Sequence, residues 1–114
     1  MKEIKAYIKI SVLQDVVAEL KRAGFCCMTI IDVAGLGELI DKKDWKYSLE
    51  FVEKTSKLAK LELVCSENDA DKVVNIIKQH GRTNQSGDGI IYVSPVVHVV
   101  KIRTGEEGQE ILQK

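Results

Sequence analysis

The chain has 114 residues, 45% of them hydrophobic and 30% charged, and its 17 basic and 17 acidic side chains give a formal net charge of zero. This is the balance of a globular chain of single-domain size, and zero net charge gives no electrostatic reason to expect nucleic acid or an anionic membrane as a partner. No apolar run reaches the roughly 20 residues that span a bilayer, and the N-terminus has no signal-peptide pattern. We therefore expect a cytoplasmic protein that does not insert into a membrane.

The first half of the chain predicts a strand, a helix and a second strand. Residues 2–10 alternate between apolar and polar side chains, which is typical of a half-buried strand. Ser11 is the predicted N-cap of a helix with apolar residues at helical spacing, and Gly24 is its predicted left-handed C-cap. Residues 26–34 are almost continuously apolar, so we predict a second strand that is buried on much of both faces.

A long charged loop separates the two halves. Gly35-Leu36-Gly37 interrupts the second strand, and residues 38–56 show no clean period. Loops of this length are usually functional, so we expect this one to be mobile without ligand and to be read by a partner. Trp45 and Tyr47 could anchor that partner, or they could pack locally within the loop.

The second half repeats the pattern. Residues 58–65 alternate as a third strand, and Ser66 with Asp69 resembles a capping box before a helix that we expect to end near Gly81. A glycine-containing polar loop follows. The predicted strands after it cover residues 90–93 and 96–102, with Ser94-Pro95 between them.

This order of elements predicts an α+β fold of the ferredoxin-like type, βαββαβ, with two helices on one face of an antiparallel sheet. We predict a single domain over residues 1–114, with 38–56 as a long regulatory loop and 103–114 as a C-terminal loop and tail. Residues 28–34 and 96–102 have too few polar positions for a solvated sheet face. Subunits are therefore expected to cover one another.

Cysteines and histidines give no metal or catalytic pattern. Cys26, Cys27 and Cys65 match neither a disulfide framework nor a zinc spacing, so we predict small buried thiols in a reducing compartment. His80 and His98 lack a nearby ligand partner. No Ser-His-Asp, HExxH or paired-carboxylate pattern indicates an enzyme.

Two segments carry a family resemblance. Gly87-Asp88-Gly89 is followed by Lys101-Ile102-Arg103-Thr104-Gly105-Glu106-Glu107, and Met28-Thr29 leads to Gly35-Leu36-Gly37. Over residues 1–108 the chain resembles the PII signal-transduction proteins. The resemblance implies a homotrimer that is not an enzyme, that binds an adenine nucleotide (ATP, ADP or AMP) in clefts between subunits, and that regulates a transporter or a metabolic enzyme of nitrogen or carbon metabolism.

The resemblance also implies the binding residues. Loop glycines let backbone N–H groups approach phosphate, Lys101 and Arg103 neutralise phosphate charge, and Thr29 and Glu62 match positions near adenine and ribose. The complete implied nucleotide set is Thr29, Gly35, Gly37, Glu62, Val64, Gly87, Asp88, Gly89, Lys101 and Arg103. The implied partner-binding loop contains Trp45, Tyr47 and Phe51.

Several positions depart from the family's pattern. Leu39 and Leu58 replace a metal-binding glutamine and a lysine of the family's 2-oxoglutarate site, and Glu38 replaces an arginine. Ile90 replaces a lysine that contacts phosphate, and Phe51 lacks the hydroxyl that some members have nucleotidylated. We therefore expect a weakened nucleotide site without the 2-oxoglutarate response. Whether Mg²⁺ accompanies the nucleotide stays open.

Three alternatives remain at this point. A trimeric metal-tolerance protein of the same architecture would bind a divalent cation through histidine and cysteine. A small enzyme on the ferredoxin-like fold would need an acid/base pair in a cleft. The third is structural: the Gly-Asp-Gly loop and the basic pair could be a turn with exposed cations. The sequence identifies neither the partner, nor the preferred nucleotide, nor a role for bicarbonate.

Overall fold

The computed structural model describes residues 1–34 and 57–112. These residues form two strand–helix–strand units. The elements are β1 (Lys2–Lys9), α1 (Ile10–Arg22), β2 (Thr29–Ala34), β3 (Lys57–Cys65), α2 (Glu67–Gly81), β4 (Ile91–Pro95) and a short 3-10 helix (Gln109–Leu112). The sheet has the order β2-β3-β1-β4, and each neighbouring pair is antiparallel. The predicted ferredoxin-like α+β fold is confirmed.

The core lies between the sheet and the two helices. Alternate residues of β1 point into it, because successive side chains of a strand lie on opposite faces. Ile4, Ala6 and Ile8 are buried, and each is paired across the sheet with a residue of β3 that is also buried. The helices contribute the buried side chains Val16, Leu20, Ala70, Val73 and Ile77, and Phe25, Leu58 and Cys65 are buried outside them.

The start of α1 differs from the prediction, whereas its end agrees with it. The predicted N-cap at Ser11 is wrong. The N-cap is Lys9, the last extended residue of β1, so Ser11 already lies inside the first turn. At the other end Gly24 has a φ of 100°, and its N–H donates to the carbonyl of Lys21 at 2.9 Å. This is the left-handed ending that favours glycine.

Helix α2 follows the prediction more closely. Ser66 is its N-cap, but the Ser66 hydroxyl donates to the Asp69 carboxylate at 3.1 Å instead of capping a backbone N–H. The helix ends at Gly81, as predicted. Among the residues described, neither this helix nor α1 is long and apolar enough to cross a bilayer.

The second strand is less buried than expected. It begins at Thr29, so Cys26 and Cys27 precede it, and both are exposed. Ile30 and Ile31, which point to opposite faces, are 43% and 41% exposed. The prediction of burial on both faces is therefore wrong, because among the described residues β2 is an edge strand with a neighbour on one side only. The prediction of buried thiols is correct for Cys65 alone.

The predicted strand at 96–102 is also wrong. The backbone N–H of Val96 donates to the carbonyl of Met1 at 3.0 Å, which continues the β1–β4 ladder by one step. The residues after Val96 lie outside that ladder. Among the residues that the structure describes, the only further β pairing of this segment is an isolated bridge between Val100 and Glu107.

The sheet face away from the helices is mixed rather than apolar. Its centre carries two ion pairs, Lys5–Glu3 at 3.5 Å and Lys60–Glu62 at 3.0 Å. Apart from Ile10 of α1, the exposed large apolar side chains among the described residues lie on or next to the edge strands and in the segment that follows β4. They are Ile30, Ile31, Ile90, Tyr92, Val93, Val97, Val100 and Ile102. The unpartnered apolar surface is thus at the edges of the sheet.

Candidate functional site

The loop between α2 and β4 is held together by one carboxylate. Asp88 accepts hydrogen bonds from the Thr83 hydroxyl at 2.6 Å, the Thr83 backbone N–H at 2.9 Å and the Asn84 N–H at 3.1 Å. The ammonium of Lys9 lies 3.5 Å from the same carboxylate and donates to the Thr83 hydroxyl at 3.2 Å. We call these four residues the Asp88 clasp. It ties the glycine-containing loop to the end of β1.

The pKa of Asp88 reflects these contacts. Burial raises it, but the hydrogen bonds from Thr83, the positive charge of Lys9 and the N–H of Asn84 together outweigh burial. The net result is a pKa below the ordinary value of an aspartate. Asp88 is therefore ionised near neutral pH, and its oxygens are engaged within its own loop.

The two flanking glycines are required by geometry. Gly87 has a φ of 93°, which other residues rarely adopt. A Cβ on Gly89 would lie 1.8 Å from the carbonyl oxygen of Tyr7, a backbone atom that cannot move aside. The next residue, Ile90, accepts a hydrogen bond from the Tyr7 N–H at 2.9 Å. The loop is thus packed directly against the backbone of β1.

A second group of predicted residues meets on the outer face of β2 and β3. Thr29 and Glu62 are direct partners in the antiparallel ladder, so their side chains lie on the same face. Thr29 is exposed, and Glu62 is half-buried and ion-paired with Lys60. Val64 lies two residues further along β3 and is half-buried on the same face. The structure therefore brings these three predicted residues together.

The predicted cations lie in a turn near the C-terminus. The backbone N–H of Lys101 donates to the backbone carbonyl of Glu106 at 2.8 Å, and the N–H of Gly105 donates to the backbone carbonyl of Lys101 at 2.8 Å. Lys101 and Arg103 are both exposed. Lys101 is close enough to Cys27 for its charge to lower the pKa of that thiol, against larger influences that raise it.

One chain does not bring the glycine loop and the two cations together. Gly89 lies against the part of β1 that pairs with Lys60. Lys101 is near enough to Cys27 for its charge to act on that thiol, and Cys27 lines a surface pocket with Val64, towards the other end of β3. A strand rises about 3.3 Å per residue, so Lys60 and Val64 alone are separated by about 13 Å.

Several predicted residues lie outside the described part of the chain. They are Gly35, Gly37, Glu38, Leu39, Trp45, Tyr47 and Phe51, together with the rest of the 38–56 loop. Two of the departures from the family pattern can be located. Leu58 is buried at 3% exposure, and Ile90 is 43% exposed. Leu58 is therefore an apolar residue packed inside the protein.

Sequence reasoning missed Lys9, Thr83 and Asn84, which complete the Asp88 clasp. The available signal was weak. Aspartates in glycine-containing loops commonly accept hydrogen bonds from nearby backbone N–H groups, which would point to residues 83 and 84. Nothing in the sequence places Lys9, which is 74 residues from Thr83, next to them.

The fold and the loop define a small ferredoxin-like protein with a glycine-containing loop packed on its central strand. The family "Nitrogen regulatory protein P-II" matches residues 1–106. The chain is 38% identical to a nitrogen regulatory protein P-II of Microchaete diplosiphon, covering 96% of this chain and 98% of the relative. It is 36% identical to that of Synechocystis sp., over 98% of this chain and all of the relative.

An archaeal relative and a solved structure agree with these matches. The chain is 33% identical to nitrogen regulatory protein P-II 1 of Methanothermobacter thermautotrophicus, over 98% of this chain and 97% of the relative. The crystal structure of Arabidopsis thaliana PII bound to citrate superposes with a TM-score of 0.77 at 28% identity, covering 96% of this chain and 86% of that one. The chain belongs to the P-II family of signalling proteins.

Family membership fixes the broad class of activity. P-II proteins are regulatory rather than enzymatic, and they bind small-molecule effectors. Within residues 1–34 and 57–112, no group of three or more His, Cys, Asp or Glu side chains is placed to hold a metal ion.

The Asp88 clasp predicts a pH-dependent contribution to stability. The folded pKa of Asp88 is depressed, so its contribution is present above the unfolded pKa of about 3.9 and is lost as pH falls through the folded pKa. We expect Asp88→Asn to lower the free energy of unfolding by about 1.5–3 kcal/mol at pH 7. Urea denaturation at pH 7 and at pH 3 measures this difference, which should shrink at the lower pH.

The matched control is Asp71→Asn, which removes an exposed carboxylate from α2. We expect a change within about 0.5 kcal/mol at both pH values. If the two variants lose equal stability at pH 7, the clasp does not hold the loop.

Proposed function

We propose that this protein is a non-enzymatic signalling protein that binds an adenine nucleotide between copies of itself. It regulates a transporter or a metabolic enzyme of nitrogen or carbon metabolism through residues 38–56. The observation that carries the proposal is that one P-II chain presents the candidate phosphate loop and the candidate cations at opposite ends of its sheet. A complete site then requires the loop of one copy and the cations of another.

The glycine loop is suited to phosphate. The Asp88 clasp and the packing of Gly89 on β1 fix the backbone before any ligand arrives. A backbone that is already ordered loses little conformational entropy when its N–H groups bind an anion. Asp88 supports this role indirectly, by holding the loop, because its carboxylate oxygens are directed at Thr83, Asn84 and Lys9.

The cations are available for a ligand. Lys101 and Arg103 are exposed, and neither forms an ion pair with another described residue. Arginine can bind a phosphate through two parallel hydrogen bonds, whereas lysine supplies a point charge. Thr29 and Glu62, which share a ladder step, offer polar groups for the nucleoside end of the ligand.

The exposed apolar residues support assembly. Val97 is 95% exposed and Ile102 is 98% exposed in the single chain, and Val97 follows the edge strand β4. Large apolar side chains at an unprotected sheet edge mark a surface that another chain covers. We propose a homotrimer, in which this surface is buried between copies and the two parts of the site meet.

We therefore expect a mass of about three times 12.7 kDa by light scattering coupled to gel filtration. Val97→Asp should shift the protein to lower mass, because a buried unpaired charge opposes assembly. Lys21→Asp, at an exposed position on α1, is the control and should leave the mass unchanged. A monomer mass for the unaltered protein at micromolar concentration contradicts the proposed assembly.

Nucleotide binding is tested by calorimetric titration with ATP, ADP and AMP. Arg103→Ala should weaken binding by about ten- to a hundredfold, the loss expected for one hydrogen-bonded charge, with the oligomer preserved. Arg22→Ala is the matched control, because Arg22 is an exposed arginine paired with Glu19 on α1. Absence of binding by all three nucleotides, or equal effects of the two variants, overturns the assignment.

A separate prediction concerns 2-oxoglutarate. Leu58 is buried and apolar where the family pattern has a lysine, and a dianion without cationic partners is costly to desolvate. We expect 2-oxoglutarate, titrated with saturating Mg²⁺ and ATP, to show no binding at micromolar concentration. ATP-dependent micromolar binding contradicts this prediction.

A further inference from the structure

The adjacent residues Cys26 and Cys27 form an exposed pair of thiols at the start of β2. Their sulfur atoms lie 3.3 Å apart and share a hydrogen bond, and both residues are free cysteines open to solvent. We define this pair as the vicinal dithiol. The third cysteine, Cys65, is buried at 3% exposure and takes no part in it.

The sulfur separation suits one bridging atom better than a direct bond. Adjacent Cα atoms lie about 3.8 Å apart, which is shorter than the roughly 4.4–6.8 Å usual for disulfides. An atom bonded to two sulfurs at about 2.3 Å, with an angle near 90°, holds those sulfurs about 3.3 Å apart. Tetrahedral zinc spreads them to about 3.8 Å with the same bond length.

The number of protein ligands available at the pair also argues against zinc. Zinc sites take four ligands, and no third His, Cys, Asp or Glu is placed with the pair among the residues described. Zinc also requires both thiols to be deprotonated, whereas the hydrogen bond from Cys26, followed by its charge and by burial, raises the pKa of Cys27. Pyramidal trivalent arsenic needs only two sulfurs from the protein. The oxygen bonded to the arsenic leaves as water together with the two thiol protons.

Apolar side chains lie beside the pair. Cys26 and Cys27 line a pocket together with Leu63 and Val64 of β3 and with Ile111 and Leu112 of the C-terminal 3-10 helix. A thiophile that carries a flat organic group can therefore bond to the sulfurs while its apolar part contacts these side chains. The positive charge of Lys101 also acts on Cys27, so it disfavours cationic ligands at the pair.

We propose that the vicinal dithiol is a binding site for trivalent arsenicals and similar thiophiles that take two sulfur ligands. With phenylarsine oxide, two As–S bonds form and the arsenic–oxygen bond breaks. The oxygen leaves as water with the two thiol protons. Arsenic stays trivalent and the cysteines are not oxidised, so no oxidant or reductant takes part.

The test is titration of the full chain, without nucleotide, with phenylarsine oxide followed by intact-mass spectrometry. One adduct per chain should form, and the two exposed thiols should stop reacting with an aromatic disulfide reagent. Cys26→Ser and Cys27→Ser should each weaken binding at least about a hundredfold, because chelation is lost. Cys65→Ala is the control and should bind as tightly as the unaltered chain.

Two further experiments test which class of ligand binds and whether the apolar side chains of the pocket contribute. Zn²⁺ should bind more weakly than phenylarsine oxide. Ile111→Ala should weaken phenylarsine oxide about fivefold and leave inorganic arsenite unaffected, because only the phenyl group contacts the apolar wall. The proposal is overturned if the single-cysteine variants bind phenylarsine oxide as tightly as the unaltered chain, if no adduct forms, or if Zn²⁺ binds more tightly.

Discussion

The alternation of strand β1 is the constraint on which the rest of the structure depends. The strand lies inside the sheet, between β3 and β4. Its even-numbered residues Ile4, Ala6 and Ile8 form the centre of the core. Its odd-numbered residues Tyr7 and Lys9 contact the glycine loop. A shift of register by one residue would move each set to the wrong face. The core and the candidate site are therefore specified by one strand.

The Asp88 clasp extends that dependence to the loop. The ammonium of Lys9 is only partly exposed, and it contacts both the Asp88 carboxylate and the Thr83 hydroxyl. A partly buried carboxylate with several donors is stabilised in its charged form, and each donor fixes another part of the loop. The aspartate of the Gly-Asp-Gly motif thus has a structural role, which is to order the loop. Its effect on any ligand passes through the backbone that it orders.

The sequence allowed much of the fold to be predicted and less of the site. Alternation in 58–65 was enough for β3, because that strand has neighbours on both sides and buries one face. The errors at 26–34 and 96–102 concern apolar segments that, among the described residues, pair with a strand on one side at most. Periodicity cannot say what covers the other side of such a segment. The site was predicted from a resemblance, and the long-range contact of Lys9 with Thr83 could not be read from any local pattern.

The mispredicted apolar segments and the divided site have a common explanation in the proposed assembly. If a second copy covers residues 96–102, the same contact brings Lys101 and Arg103 of one chain towards the glycine loop of another. Nucleotide binding and assembly are then linked, because a ligand that touches two copies stabilises their association by mass action. The linkage is reciprocal: nucleotide strengthens assembly by the same free energy by which assembly strengthens nucleotide binding. In this arrangement the exposed valines and isoleucines near the C-terminus contribute to ligand affinity without contacting the ligand.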